Sequence, residues 1–315
     1  MGARTVIAVD IGGTQLRVAL FEGAQLRQRA ALPTDVKGGP SGVMDQIDAL
    51  IKQLSTKSDL DQVSGIGLSI AGPIDTKAAA ATRIPSLPGW DGFPVGRALS
   101  ERTGFPTQVE NDAIAATLGE WRHGAGRGAS NIVFLTVSTG IGGGAVVDDR
   151  LLHGRMGIAG HIGHMRMAQE GPTCPCGAVG CFEALASGSA LSRRAVTTAA
   201  KSGHLAGLAQ AGTVTARDVF EGAHAGDSHC LELVAEEAMY LGQGITSIIH
   251  IFSPERVIIG GGLSNAFDQL APGIHEVIRK DAMPPFRTVP VIRSALGDDS
   301  GLFGAARLAL DASGA

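Results

Sequence analysis

The sequence predicts an α/β protein built as two related lobes, and three observations carry that expectation. A strand, a glycine turn and a second strand occur near the N-terminus and again at mid-chain. Apolar strand runs alternate with helical patterns along the whole length, the signature of layered α/β folds. The 315 residues also exceed what one hydrophobic core usually organises. The expected division is a small α/β lobe of residues 1–111 plus 299–315 and a large α/β lobe of residues 112–298.

The elements follow in order. Thr5 to Asp10 is apolar, Ile11-Gly-Gly-Thr14 turns the chain, and Gln15 to Phe21 alternates apolar with polar residues as a half-buried strand does. A helical pattern near 41–56, a buried strand from Val63 to Ile70 and a helix near 94–103 come next. A strand through Val109 then runs into Glu110-Asn111-Asp112 and a helix to about 123. The second lobe opens with the apolar run Asn131 to Ser138, turns at Thr139-Gly-Ile-Gly-Gly-Gly144 and returns as Ala145 to Asp149. Helical patterns near 185–201, 215–224 and 228–250 lead to a strand, Arg256 to Ile259, which enters Gly260-Gly261-Gly262. Helices near 263–281 and 300–312 close the chain.

Composition excludes several classes. A net charge of −4 without a long single-sign run leaves no electrostatic footprint for nucleic acid or an anionic membrane. No signal peptide and no transmembrane run are visible, and four cysteines fit a reducing, cytoplasmic setting better than a disulfide scaffold. The spacing of a P-loop and the Gly-x-Gly-x-x-Gly that opens a dinucleotide-binding helix are both missing from the first glycine turn.

Residues 161–183 carry the most specific chemistry. His164, Cys174, Cys176 and Cys181 lie close enough along a Gly/Pro-rich stretch to form the tetrahedral Cys3His set of a structural Zn2+ site. The competing readings are buried small residues or a disulfide, and a disulfide within Cys-x-Cys would be strained. Cys230 is left over in a helical pattern.

Each glycine turn offers backbone N–H groups and a hydroxyl to a phosphate. Gly12, Gly13 and Thr14 form one such turn, Thr139 and Gly140 a second, and Gly261 with Gly262 ends a buried strand in the same manner. Any one alone is equally an ordinary tight turn; three together favour phosphate binding. Asp10, at the end of its strand, is placed to hold Mg2+ through one carboxylate and water. Asn111-Asp112 sits where a strand becomes a helix, which suits an N-cap, and equally a general base that takes a hydroxyl proton during phosphoryl transfer. Glu183, two residues past the last cysteine, would be fixed by the metal loop and could accept hydrogen bonds from vicinal hydroxyls; the alternative is a helix N-terminal charge.

Asp10-Ile-Gly-Gly-Thr14, Ala71-Gly72-Pro73, Glu110-Asn111-Asp112-Ala113, Thr139-Gly-Ile-Gly-Gly143, Gly163-His164, the Cys-x-Cys-Gly-x-x-Gly-Cys-x-Glu run and Ile259-Gly-Gly-Gly262 together resemble the ROK family of bacterial sugar kinases and repressors. The resemblance spans essentially the whole chain. It implies an actin-like (ribonuclease H-like) hexokinase-type two-lobe fold with a structural zinc loop, ATP with Mg2+, phosphorylation of a hexose 6-hydroxyl and a homodimer. It makes Asp112 the base, and Gly72, Asn111, Asp112, His161, His164 and Glu183 the sugar-site residues, with His164 serving both zinc and sugar. One position departs from the pattern: the family's glucokinases read Glu-x-Gly-His where this chain has His161-Ile-Gly-His164. A histidine there resembles bacterial N-acetylmannosamine kinases, which makes N-acetyl-D-mannosamine the expected substrate and glucose the alternative. The family's repressors carry a helix-turn-helix domain of some tens of residues, whereas Met1 to Arg4 alone precede the first strand here.

Overall fold

The computed structural model describes residues 4–76, 78–82, 84, 86–155, 157–198 and 203–314. The chain forms two compact units, one of Met1–Gly128, Leu151–Gly160 and Asp298–Ala315, the other of Ala129–Arg150 and His161–Gly297. No helix among the described residues is long and apolar enough to cross a membrane.

The first unit begins with an antiparallel meander of β1 (Thr5–Ile11), β2 (Gln15–Glu22) and β3 (Gln25–Pro33). Helix α1 (Gly39–Leu54) and the single turn α2 (Lys57–Leu60) lead to β4 (Val63–Ile70), which pairs parallel to β1. The short hairpin β5 (Ile74–Asp75) and β6 (Ala80–Ala81) precedes α3 (Val95–Thr103), β7 (Thr107–Asn111) and α4 (Asp112–His123). The sheet order is β3-β2-β1-β4-β7. Period-two alternation gives each inner strand two apolar faces: Ile7, Val9 and Ile11 pack with α1 and α3, while Val6 and Ala8 meet Leu302, Ala305 and Ala309 of the C-terminal helix, Ser300–Ala312.

That C-terminal helix lies against backbone. A Cβ on Gly67 would stand 1.7 Å from the Ala305 carbonyl oxygen, and one on Gly304 equally near the Ala115 oxygen, so glycine is required where helix, sheet and α4 meet. The contact also corrects the expected boundary between Asn111 and Asp112. Helix α4 stays with the first unit because its Gly119 faces the Ser300 carbonyl at 2.2 Å from a hypothetical Cβ, and residues 151–160 join that unit as well.

The second unit repeats the plan. β8 (Ile132–Val137), β9 (Ile141–Val147) and β10 (Arg150–Leu151) are followed by α5 (Phe182–Ala186), α6 (Gly188–Thr198), α7 (Ala206–Ala211), α8 (Ala216–His224) and α9 (Ser228–Phe252). β11 (Arg256–Gly260), α10 (Phe267–Asp281) and β12 (Val291–Arg293) complete it, with sheet order β10-β9-β8-β11-β12. Two sheets with one strand order, each a meander extended by parallel strands, match the related lobes that the repeated glycine hairpin predicts and the actin-like architecture that the family resemblance implies.

Three sequence expectations shift. β9 starts at Ile141, not Ala145, because Gly142, Gly143 and Gly144 pair in the ladder with Thr136, Leu135 and Phe134. The helix expected over 185–201 breaks at Ser187, whose backbone is extended, so that the Gly188 N–H reaches the Ser138 carbonyl at 2.7 Å; its last residues, from 199, lie outside the described residues. The segment expected as a helix from 263 opens as a 3-10 turn, Gly262–Ala266, before α10.

Candidate active site

In the first unit the site forms at the carboxyl ends of β1, β4 and β7, the edge where α/β sheets bind ligands. Register sets Arg17, Asp10, Ser69 and Glu110 in one row across β2, β1, β4 and β7. Asp10 Oδ1 accepts from the Ser69 hydroxyl at 2.7 Å, and Oδ2 accepts from Arg17 Nη1 at 3.1 Å. Burial pushes the Asp10 carboxyl above its ordinary range, against the pull of Ser69 and Arg17. The turn beside it is pinned from behind: Gly12 N–H donates to the Gln15 carbonyl, and Thr34 Oγ1 donates to the Gly12 carbonyl at 2.7 Å. Gly13 sits so near Ser86 that a Cβ would meet its Cβ at 2.8 Å, while Thr14 is exposed.

Asn111 is a full N-cap. Its Oδ1 accepts from the Ala113 and Ile114 N–H groups at 3.0 and 3.2 Å, which contributes about 1 kcal/mol to α4. Its amide nitrogen donates to the Gly72 carbonyl and to Asp112 Oδ1, both at 2.9 Å. Gly72, at φ +91, has the left-handed conformation that turns its carbonyl to this role. Asp112 Oδ1 accepts from Asn111 and from the Ala113 N–H at 2.8 Å, and among the described residues no other residue bonds Oδ2. Burial, with the Asp10 charge adding to it, pushes the Asp112 carboxyl up to about 6, a value suited to a base near neutrality. The N-cap reading holds at Asn111, and the same side chain holds the Asp112 carboxyl.

The second unit carries the remaining residues of the expected set. Gly188 and Ser189 N–H groups bond the Ser138 and Thr139 carbonyls and fix the turn before β9. Gly261 has φ +78, and its carbonyl accepts from both the N–H and the hydroxyl of Ser264. Between these turns opens a cavity of about 1070 Å³, lined by Thr139, Gly262, Arg217, Phe220, Asn265 and Gln269 among others, large enough for a nucleotide.

His164, Cys174, Cys176 and Cys181 bring one ligand atom each to within 4.8 Å of one another. Cys174 Sγ lies 3.6 Å from His164 Nδ1 and Cys176 Sγ 3.7 Å from Cys181 Sγ. Zinc–sulfur bonds of about 2.3 Å at tetrahedral angles place sulfurs about 3.8 Å apart, so the four residues fit a zinc ion. The knuckle is built by Gly177 and Gly180 at positive φ, and buried Phe182 anchors it against Gly244 of α9. The rings of His161 and His164 stack with centroids 6.1 Å apart, and burial lowers the His161 pKa from its ordinary value. Glu183 is not free: Oε2 accepts from the Ile141 N–H at 2.9 Å and Oε1 lies 3.6 Å from Cys174 Sγ. A Cβ on Gly140 would stand 2.4 Å from that Oε2, so this carboxylate seats on the glycine of the turn.

Sequence reasoning missed Arg17, and Glu110 with His153. Arg17 was legible in principle, since a hairpin closed at Ile11 and Leu16 sets it opposite Asp10. The Glu110–His153 pair joins residues 43 apart and has no local signal.

The ROK family model matches residues 6–312. A glucokinase of Halalkalibacterium halodurans is 38% identical over 96% of this chain and 94% of its own length. An N-acetylmannosamine kinase of Citrobacter koseri is 35% identical over 97% of this chain and 98% of its own. Among solved structures, a ROK hexokinase from Thermus thermophilus superposes with a TM-score of 0.81 at 34% identity, covering 99% of this chain and all of that one. A ROK glucokinase from Streptomyces griseus, in complex with glucose and AMPPNP, gives 0.83 at 31%, with 98% and 99% covered. Fold, Cys3His cluster and near-complete coverage agree, and the chain belongs to the ROK family.

Proposed function

We propose that this chain is an ATP-dependent kinase that phosphorylates the 6-hydroxyl of a hexose or N-acylhexosamine, with N-acetyl-D-mannosamine preferred. The observation that carries the reading is Asp112: one oxygen held by two donors, the other open, and a proton affinity raised to about 6. A carboxylate so placed takes the hydroxyl proton as the oxygen attacks a phosphoryl group. Asn111 and Gly72 orient it. Glycine turns at Gly12–Thr14, Thr139–Gly140 and Gly261–Gly262 would receive phosphates on backbone N–H groups, and the cavity of the second unit would take the nucleoside. Mg2+ would be held through Asp10 and would neutralise phosphate charge. Zn2+ would be held by His164, Cys174, Cys176 and Cys181 and would order the loop that carries Glu183. A cytoplasmic homodimer belongs to the same reading.

The substrate choice rests on His161. An ionised glutamate only accepts hydrogen bonds, whereas an imidazole also donates, and so can face an acetamido carbonyl. Glucose is the second reading, supported by the 38% identity to a glucokinase. The test is kcat/KM for N-acetylmannosamine, N-acetylglucosamine, glucose and mannose with wild type and His161→Glu. A wild type that favours glucose over both acetamido sugars sinks the substrate choice; one that phosphorylates none of the four sinks the kinase reading.

A further inference from the structure

Glu110 is the least expected polar residue of the first unit. Its side chain is 3% exposed, one residue before the N-cap of α4, where an apolar residue would continue the strand without the cost of burying a carboxylate. Two partners meet that cost. Oε1 accepts from the Asn111 N–H at 2.9 Å, and Oε2 pairs with His153 Nε2 at 2.8 Å. His153 belongs to Leu151–Gly160, the segment of chain that returns to the first unit between β10 and His161. The segment is folded tightly: Ala159 N–H donates to the His153 carbonyl, Gly154 and Gly157 take positive φ, and a Cβ on Gly157 would meet Thr76 Oγ1 at 2.5 Å. The hydrogen bond to Glu110 raises the His153 pKa above its ordinary value.

We infer that Glu110 and His153 are positioning residues for the reaction: a carboxylate–imidazole pair, the glutamate buried and the histidine half-exposed, that holds the backbone of Asn111, and through the cap aims Asp112. The path is continuous. His153 fixes the Glu110 carboxylate, Glu110 fixes the Asn111 N–H, and Asn111 fixes Asp112 Oδ1 and the Gly72 carbonyl. A tilt of the cap moves the base, and a misplacement of about 1 Å costs on the order of 100-fold in rate. The pair also ties Leu151–Gly160, which continues directly into His161, to the strand that ends at the base. Neither residue touches the reacting atoms.

This inference rests on the reading of Asp112 as the base of a sugar kinase, and the experiment separates the two. Steady-state kinetics are measured for wild type, Glu110→Gln, His153→Gln and the double variant, with thermal melts alongside. Gln at 110 keeps an oxygen for the Asn111 N–H and removes the charge; Gln at 153 keeps one donor. The expected result is a kcat about tenfold or more below wild type in each single variant, KM for ATP within about twofold, a melting temperature well above that of the assay, and a double variant no worse than the poorer single one. Wild-type kcat in His153→Gln overturns the inference, as do losses that multiply in the double variant, or equal losses in kcat and in ATP affinity. If wild type phosphorylates no sugar, the kinase reading fails, and the pair is judged by hydrogen exchange at the Ala113 and Ile114 amides. Exchange about tenfold faster in His153→Gln sustains the positioning role, and unchanged exchange overturns it.

Discussion

Replacing Asp112 with Asn should produce two effects of opposite sign. The substitution keeps an oxygen for the Ala113 N–H and for Asn111 and removes only the charge at the open position. Loss of the base lowers kcat by about 10^2- to 10^4-fold, with sugar binding retained. Stability moves the other way. A carboxyl lifted from 3.8 to about 6 costs about 3 kcal/mol to hold ionised at pH 8. Because the folded-state value is raised, this penalty is absent below pH 4, grows as pH rises through 6 and is complete above it. Asn removes the penalty, so the variant should be more stable than wild type by about 1–3 kcal/mol at pH 8 and by close to nothing at pH 4. Urea titrations at the two pH values read the difference, and wild-type kcat/KM against pH should show an acid limb near 6. A variant less stable than wild type at pH 8, or one with near wild-type turnover, refutes the reasoning.

Freshly purified protein should contain one zinc per chain by elemental analysis, and Cys176→Ala should lose it and weaken sugar binding before the chain unfolds; full sugar affinity in metal-free variant counts against this. Gly140→Ala must displace Glu183, because the new methyl would stand 2.4 Å from its Oε2, and kcat/KM should fall about tenfold or more; a silent substitution removes the seat assigned to that carboxylate. Arg17→Ala takes away the cation that opposes the raised proton affinity of Asp10. The Mg2+ concentration for half-activation should then rise at pH 6 relative to pH 8 by severalfold more than in wild type, and an unchanged ratio argues against Asp10 as the Mg2+ residue.

What could be read in advance follows from how local its cause is. The apolar periodicity of β1, β4 and β8 survives folding because both faces of each strand are covered, and the cysteine spacing survives because a metal site is a local geometry. β3 was not anticipated: Gln25–Pro33 is polar and mostly exposed at the edge of its sheet, so it carries no burial pattern. The glycines of β9 read as a turn because their strand role lies in what they leave out; a Cβ on Gly143 would strike Ile162 and the Phe134 carbonyl. The break at Ser187 answers the Ser138 turn, 49 positions away in sequence, and the Glu110–His153 pair answers a returning segment. Neither cause lies within a window that a periodicity can see.

The Glu183 carboxylate, shared between the Ile141 N–H and the Cys174 thiol group, has a thermodynamic corollary. One side chain cannot serve two neighbours without making each a reporter of the other. With zinc in the cysteine knuckle and a phosphate on the turn before β9, as proposed above, the two occupancies would belong to one linked equilibrium, and the linkage would be reciprocal. On that proposal a chelator would weaken nucleotide affinity as well as sugar affinity, and a bound nucleotide would tighten zinc binding by the same free energy.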